Sequence, residues 1–196
     1  MIERIKNILI SPKTEWEKIK GEPAGIAQIF TGYVIPLALL PAIFGFLGRA
    51  LIGINLGILG TFRIPLVYSI AWAVVYFVLT LITIYVFALI INALAPSFGS
   101  KQDIIKAFKL VAYSMTPAWI AGVLNIFPLL AILVLLAGLY SLYILYLGFV
   151  PMMETPKDKV IVYFIVSIVV YIVIYFVVSA LSGLVLNMAW RPMIRF

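Results

Sequence analysis

Five apolar runs, each about 20 residues or longer and none containing Asp or Glu, leave this chain one way to fold. They lie at about Gln28–Ile52, Pro65–Asn92, Ile105–Leu124, Leu129–Val150 and Val160–Leu181. A helix of that length crosses the hydrocarbon core and bonds nearly all its backbone N–H and C=O groups within its own segment, which lipid demands. The expected fold is therefore all-α, a polytopic transmembrane bundle of about five spans. Residues 1–22 form an amphipathic segment, and 23–196 a single transmembrane domain with no room for a separate soluble one.

Composition narrows the chemistry. The residues are 65% hydrophobic and 11% charged, against roughly 45–50% and 25% in soluble domains, so the lipid bilayer is the first partner. The chain has neither Cys nor His. That removes thiolate nucleophiles, the usual zinc ligands and the usual general base, so neither an enzyme nor a metal or cofactor is expected. The net charge of +7 comes from residues at the ends of apolar runs. This placement suits topology and anionic headgroups, and no nucleic-acid partner is expected.

At the N-terminus, Ile2, Ile5, Ile8 and Leu9 recur at helical spacing beside Arg4 and Lys6. Ser11 and Pro12 then restart a helix as cap and first position. The acidic residues Glu3, Glu15, Glu17 and Glu22 argue against a signal peptide. Trp16 and Ile19 share an apolar face, with Glu15, Glu17, Lys18 and Lys20 expected in water, so the segment should lie in the headgroups as an interfacial anchor. Pro36 and Pro41 predict a kinked first span. Arg49 is expected to snorkel to the interface, Trp72 to anchor there, and Ser100 with Asp103 to form a capping box. Gly53 with Gly57, and Ser179 with Gly183, are small-residue pairs of the kind that let helices approach.

The third span differs from the others. Tyr113, Ser114 and Thr116 precede the helix breaker Pro117, and Asn125 follows near the far end. Polar groups in hydrocarbon need partners, so this segment should be interior. A tight turn at Asn125–Pro128 makes the third and fourth spans a hairpin, on which Tyr140, Tyr143 and Tyr146 form a stripe. The candidate interior cluster is Tyr113, Ser114, Thr116, Pro117, Asn125, Tyr140 and Tyr143. The stripe either packs with its hydroxyls on carbonyls or lines a substrate path between these two spans. Ion coupling is disfavoured because no span carries a carboxylate.

Ten of the fourteen Lys and Arg residues fall on the side of the N-terminus. Arg49, Arg63, Arg191 and Arg195 fall on the other. Basic residues favour the cytoplasm, which places the N-terminus inside and the C-terminus, with its interfacial tail Leu184–Phe196, outside.

Three segments carry a family resemblance: SPKTEWEKI (Ser11–Ile19), YSMTP (Tyr113–Pro117) and LYSLYILYLG (Leu139–Gly148). The chain resembles the prokaryotic branch of the Yip family, named for Ypt/Rab-interacting membrane proteins. The resemblance implies a multi-pass protein of a prokaryotic cell membrane. Eukaryotic members are five-span proteins with a cytoplasmic N-terminus that engage prenylated Rab-type GTPases in vesicle traffic. The expected function is a non-enzymatic organiser or adaptor working through protein or lipid contact, with membrane-protein partners or self-association. The alternative is a transporter, channel or lipid-handling protein for a neutral or lipid substrate.

Overall fold

A computed structural model describes the backbone of residues 1–55 and 60–190, and the side chains among them other than 54, 55, 61, 62, 128 and 185–190. Two short helices, α1 (Ile2–Ile10) and α2 (Pro12–Gly21), precede the spans. The spans are α3 (Ile26–Ile52), α4 (Leu66–Phe98), α5 (Ile104–Ile126), α6 (Ala131–Met153) and α7 (Val160–Trp190). All five are long and apolar enough to cross a membrane. Between α3 and α4, β1 (Ile54–Asn55) pairs antiparallel with β2 (Thr61–Phe62). Gly57, Arg191 and Arg195 lie outside the described residues, as does the side chain of Trp190.

Prolines shape the spans through the hydrogen bonds they remove. In α3, Pro36 has no N–H to offer the Gly32 carbonyl, and the ladder slips into a turn of π-helix at Phe30–Val34, where Ile35 N–H reaches Phe30 O. In α5 the α-helix stops at Ser114 and restarts at Thr116 around Pro117, then tightens to 3₁₀ at Gly122–Ile126. At the start of α5, Asp103 is the cap, its carboxylate accepting from Ile105 N at 3.0 Å and Lys106 N at 3.1 Å. Ser100 does not share that role, because its hydroxyl is used elsewhere, donating to Thr155 Oγ1 at 2.8 Å.

The third span is the axis of the bundle. Its membrane window is 72% buried, against 17% for α7. It approaches α3 through glycine: a Cβ on Gly122 would lie 2.6 Å from Pro41 Cβ, and one on Gly48 would strike the Asn125 carbonyl. On the other side, α4 and α7 pair through aromatic rings. Phe98 stacks on Tyr163 at 4.5 Å, Phe87 meets Tyr171 at 5.3 Å, and Tyr163 Oη donates to Ile91 O.

The connections on the N-terminal side are tied together by charge. Glu154 takes a left-handed conformation (φ 52°) at the end of α6 and accepts from Lys106 Nζ at 3.0 Å. Lys106, by that bond and its charge, and then Lys101 hold the Glu154 carboxyl below its ordinary pKa. A group depressed in the folded state stabilises above its unfolded pKa, and the contribution is lost as pH falls through the folded value. Glu154→Gln should therefore flatten the acid side of a thermal-stability profile in detergent and leave the neutral side little changed. Packing makes a second prediction. Gly122→Ala should destabilise by about 1–3 kcal/mol through its clash with Pro41. Gly138→Ala, whose Cβ meets nothing within 4 Å, should be neutral or stabilising by up to about 1 kcal/mol. Chemical or thermal unfolding of the two variants checks the order.

Candidate functional site

Breaking a helix inside a membrane frees backbone groups that need new partners. Pro117 cannot donate to the Tyr113 carbonyl four residues earlier; Thr116 Oγ1 does so instead, at 2.6 Å. That donation uses the only hydroxyl hydrogen of Thr116. The 2.7 Å contact between Tyr33 Oη and Thr116 Oγ1 is therefore donated by Tyr33. The Ala118 amide is taken by Ser141 Oγ of α6 at 3.1 Å, and Ser114 Oγ donates to Leu110 O at 2.6 Å. One proline break thus binds α3, α5 and α6 to each other. Tyr113 acts through its ring, edge-on to Tyr33 at 4.8 Å and to Trp16 at 6.4 Å.

The N-terminal helices are held against this network, which corrects the expectation of a segment lying only in the headgroups. Ile8, Trp16 and Ile19 are completely buried. Gly148 leaves a notch on α6, where a Cβ would lie 2.8 Å from the Trp16 ring, and the indole reaches through it to donate to Ile144 O at 3.1 Å. Glu15, expected in water, is 3% exposed and ion-paired with Arg4, which also binds Glu22. Burial works against the Arg4 charge, but the Glu22 bond and the charges of Glu22 and Glu15 outweigh it, so its pKa lies above the ordinary value. The free carbonyls at the ends of both helices find donors. Tyr140 Oη donates to Leu9 O at 2.7 Å, and the buried Lys109 donates to Ile19 O at 3.3 Å and to Glu22 O.

Toward the opposite end the bundle opens. A cavity of about 880 Å³ lies among the spans, lined by residues including Arg49, Trp72, Thr83, Asn125, Leu139, Tyr175 and Ser182. The helices α6 and α7 touch at the N-terminal side, Phe149 on Tyr163 at 4.6 Å, and the cavity separates their other ends. Leu135, Leu139 and Tyr175 are on its lining and remain exposed, so the cavity is open and not sealed. Arg49 does not snorkel outward. Its guanidinium turns back, donating to Gly45 O at 3.0 Å and lying 3.5 Å over Trp72. Trp72 is accordingly buried under a cation and stacked on Tyr76 at 4.9 Å, where an interface anchor was expected.

The expected cluster is partly assembled. Tyr113, Ser114, Thr116 and Pro117 are buried together in the core, and Asn125 is half-buried on the cavity wall. The tyrosine stripe does not face α5. Tyr140 reaches α1, Tyr143 is 46% exposed, and Tyr146 packs edge-on to Phe164 of α7 at 5.3 Å. Ser141 supplies the hydroxyl that α5 uses. Ser179 and Gly183 line the cavity, and no atom lies within 4 Å of a Cβ built on Gly183, so this pair makes no close helix contact there.

Comparison with known proteins places the whole arrangement. A family model described as the Yip1 domain matches residues 6–181. The chain belongs to the Yip1 domain family. This Yip1 chain is 25% identical over 118 residues to the inner membrane protein YohC of Escherichia coli K12, and equally to YohC of E. coli O6:H1. The match covers 60% of this chain and 60% of the length of each relative. No solved structure matches the chain. The Yip1 match begins inside α1, so it takes in Trp16 and Glu15 together with the spans.

The sequence pattern singles out neither Tyr33 nor a buried role for Glu15, and Ser141 stands in it only as a neighbour of the tyrosine stripe. A usable signal existed for Tyr33, the one tyrosine of the first span, three residues before Pro36. The geometry predicts an order of effects. Thr116→Val keeps the shape but orphans both the Tyr113 carbonyl and the Tyr33 hydroxyl, and should cost about 1–2 kcal/mol. Tyr33→Phe leaves the carbonyl satisfied and should cost about 0.5 kcal/mol, while Thr116→Ser stays near wild type. Thermal unfolding in one detergent ranks the three, and equal losses for valine and serine contradict the assignment.

Proposed function

We propose that this Yip1 family protein is a non-enzymatic membrane organiser that acts by contact, and that lipid is what it contacts through its interior. The observation that supports this is the cavity of about 880 Å³, near the upper end of ligand-pocket sizes of roughly 300–1,000 Å³. Residues of the outer halves of α6 and α7 line it, most of them apolar, so its wall suits an acyl chain. Catalysis finds less support. The hydroxyls of Thr116, Ser114 and Tyr33 are engaged with the backbone or each other, and the sequence offers no His or Cys to activate them. The N-terminal helices and the Lys-rich connections face the cytoplasm and the C-terminus faces outward. The proposed location is the cell membrane of a prokaryote, in keeping with YohC, an inner membrane protein of E. coli.

Two measurements test this. Purification in mild detergent followed by mass spectrometry should recover lipid at near-stoichiometric levels. Protein partners at such levels with no retained lipid move the assignment to a protein adaptor. A reporter active only in the cytoplasm should work when fused to Met1 and fail when fused to Phe196, and activity at both ends contradicts the orientation.

A further inference from the structure

We propose that the cavity is a site for an anionic phospholipid, with the phosphate on Arg49 and one acyl chain along α4; this rests on the lipid-contact reading above. The first argument is charge. All seven Asp and Glu residues, Glu3, Glu15, Glu17, Glu22, Asp103, Glu154 and Asp158, lie on the N-terminal side of the membrane. Arg49 sits near the other end of α3, stacked on Trp72, with a backbone carbonyl as acceptor. A cation partly withdrawn from water is costly in a membrane without a counter-charge; among the described residues Arg49 has no ion-pair partner, and no Asp or Glu lies at that end. The anion fitting this place comes from the bilayer, and a guanidinium binds phosphate oxygens in a fork.

The second argument is unpaired polar atoms. Among the described residues three buried side-chain atoms lack a hydrogen-bond partner, and two of them, Arg49 Nε and Ser182 Oγ, belong to residues that line this cavity. Ser182 is 4% exposed. Buried polar groups are nearly always paired, and two of the three exceptions fall on residues of one cavity wall. The third argument is length. On α4 the lining runs from Trp72 to Ile84, roughly 18 Å at about 1.5 Å per residue. That is close to one leaflet, half of a hydrocarbon core about 30 Å thick. The cavity has the depth of a single acyl chain and holds its cation at the headgroup end.

The test is native mass spectrometry of the full chain titrated with phosphatidylglycerol or with phosphatidylcholine of the same acyl chains. Wild type should prefer phosphatidylglycerol by about tenfold. Arg49→Gln should abolish the preference, while Arg49→Lys keeps part of it. Arg63→Gln, an exposed cation on the same side outside the lining, should leave it intact. Gly183→Leu grows into open space on the lining and should weaken both lipids several-fold without unfolding the bundle. Equal binding of the two lipids to wild type overturns the anionic site but leaves lipid contact standing, as does a preference that survives Arg49→Gln or is lost in Arg63→Gln. Retention of neither lipid overturns both.

Discussion

Inside lipid, a backbone carbonyl that loses its partner must find another, and the rest of this bundle follows from how that is met at Pro117. The Tyr113 carbonyl takes the Thr116 hydroxyl, which accepts from Tyr33 of α3, and the freed Ala118 amide takes Ser141 of α6. These repairs use side chains from three helices. They fix depth and rotation where apolar packing alone specifies little, since lipid tails offer a helix much the same surroundings as another helix. Glycine completes the effect: Gly122 on Pro41 brings the backbones of α5 and α3 together beyond the break.

The two halves of the molecule use polarity differently. On the N-terminal side charges are abundant, and several of them tie elements together. Arg4 joins Glu15 and Glu22, Lys109 closes the end of α2, and Lys106 binds Glu154. That half is closed, with Trp16 seated in the notch at Gly148. The other half holds a wide apolar cavity and Arg49. The bundle is thus tied by ion pairs near one face and hollow toward the other.

The spans were legible because length and apolarity decide them without reference to neighbours. The interior role of Thr116 and Pro117 was legible because a breaker beside a hydroxyl is a local signal. Their partners were not, since Tyr33 and Ser141 are distant in sequence. Trp16 and Glu15 were misjudged because a helix facing lipid and a helix facing its own bundle share one period. The tyrosine stripe failed for a geometric reason. A spacing of three falls about 60° short of a full turn at about 3.6 residues per turn, so Tyr140 reaches α1, Tyr146 reaches α7, and Tyr143 between them stays half-exposed beside the α1–α2 junction. Arg49 was expected outside because length allows it to snorkel, whereas the ring of Trp72 and the Gly45 carbonyl hold it inward.

The central claim is that the hydroxyl of Thr116 is there to repair the break made by Pro117. A double-mutant cycle of Thr116→Val and Pro117→Ala, read by unfolding in one detergent, measures this directly. With alanine at 117 the Tyr113 carbonyl regains an N–H donor. The valine substitution should then lose about 1 kcal/mol of its cost relative to the same change beside proline. Strict additivity of the two substitutions contradicts the account.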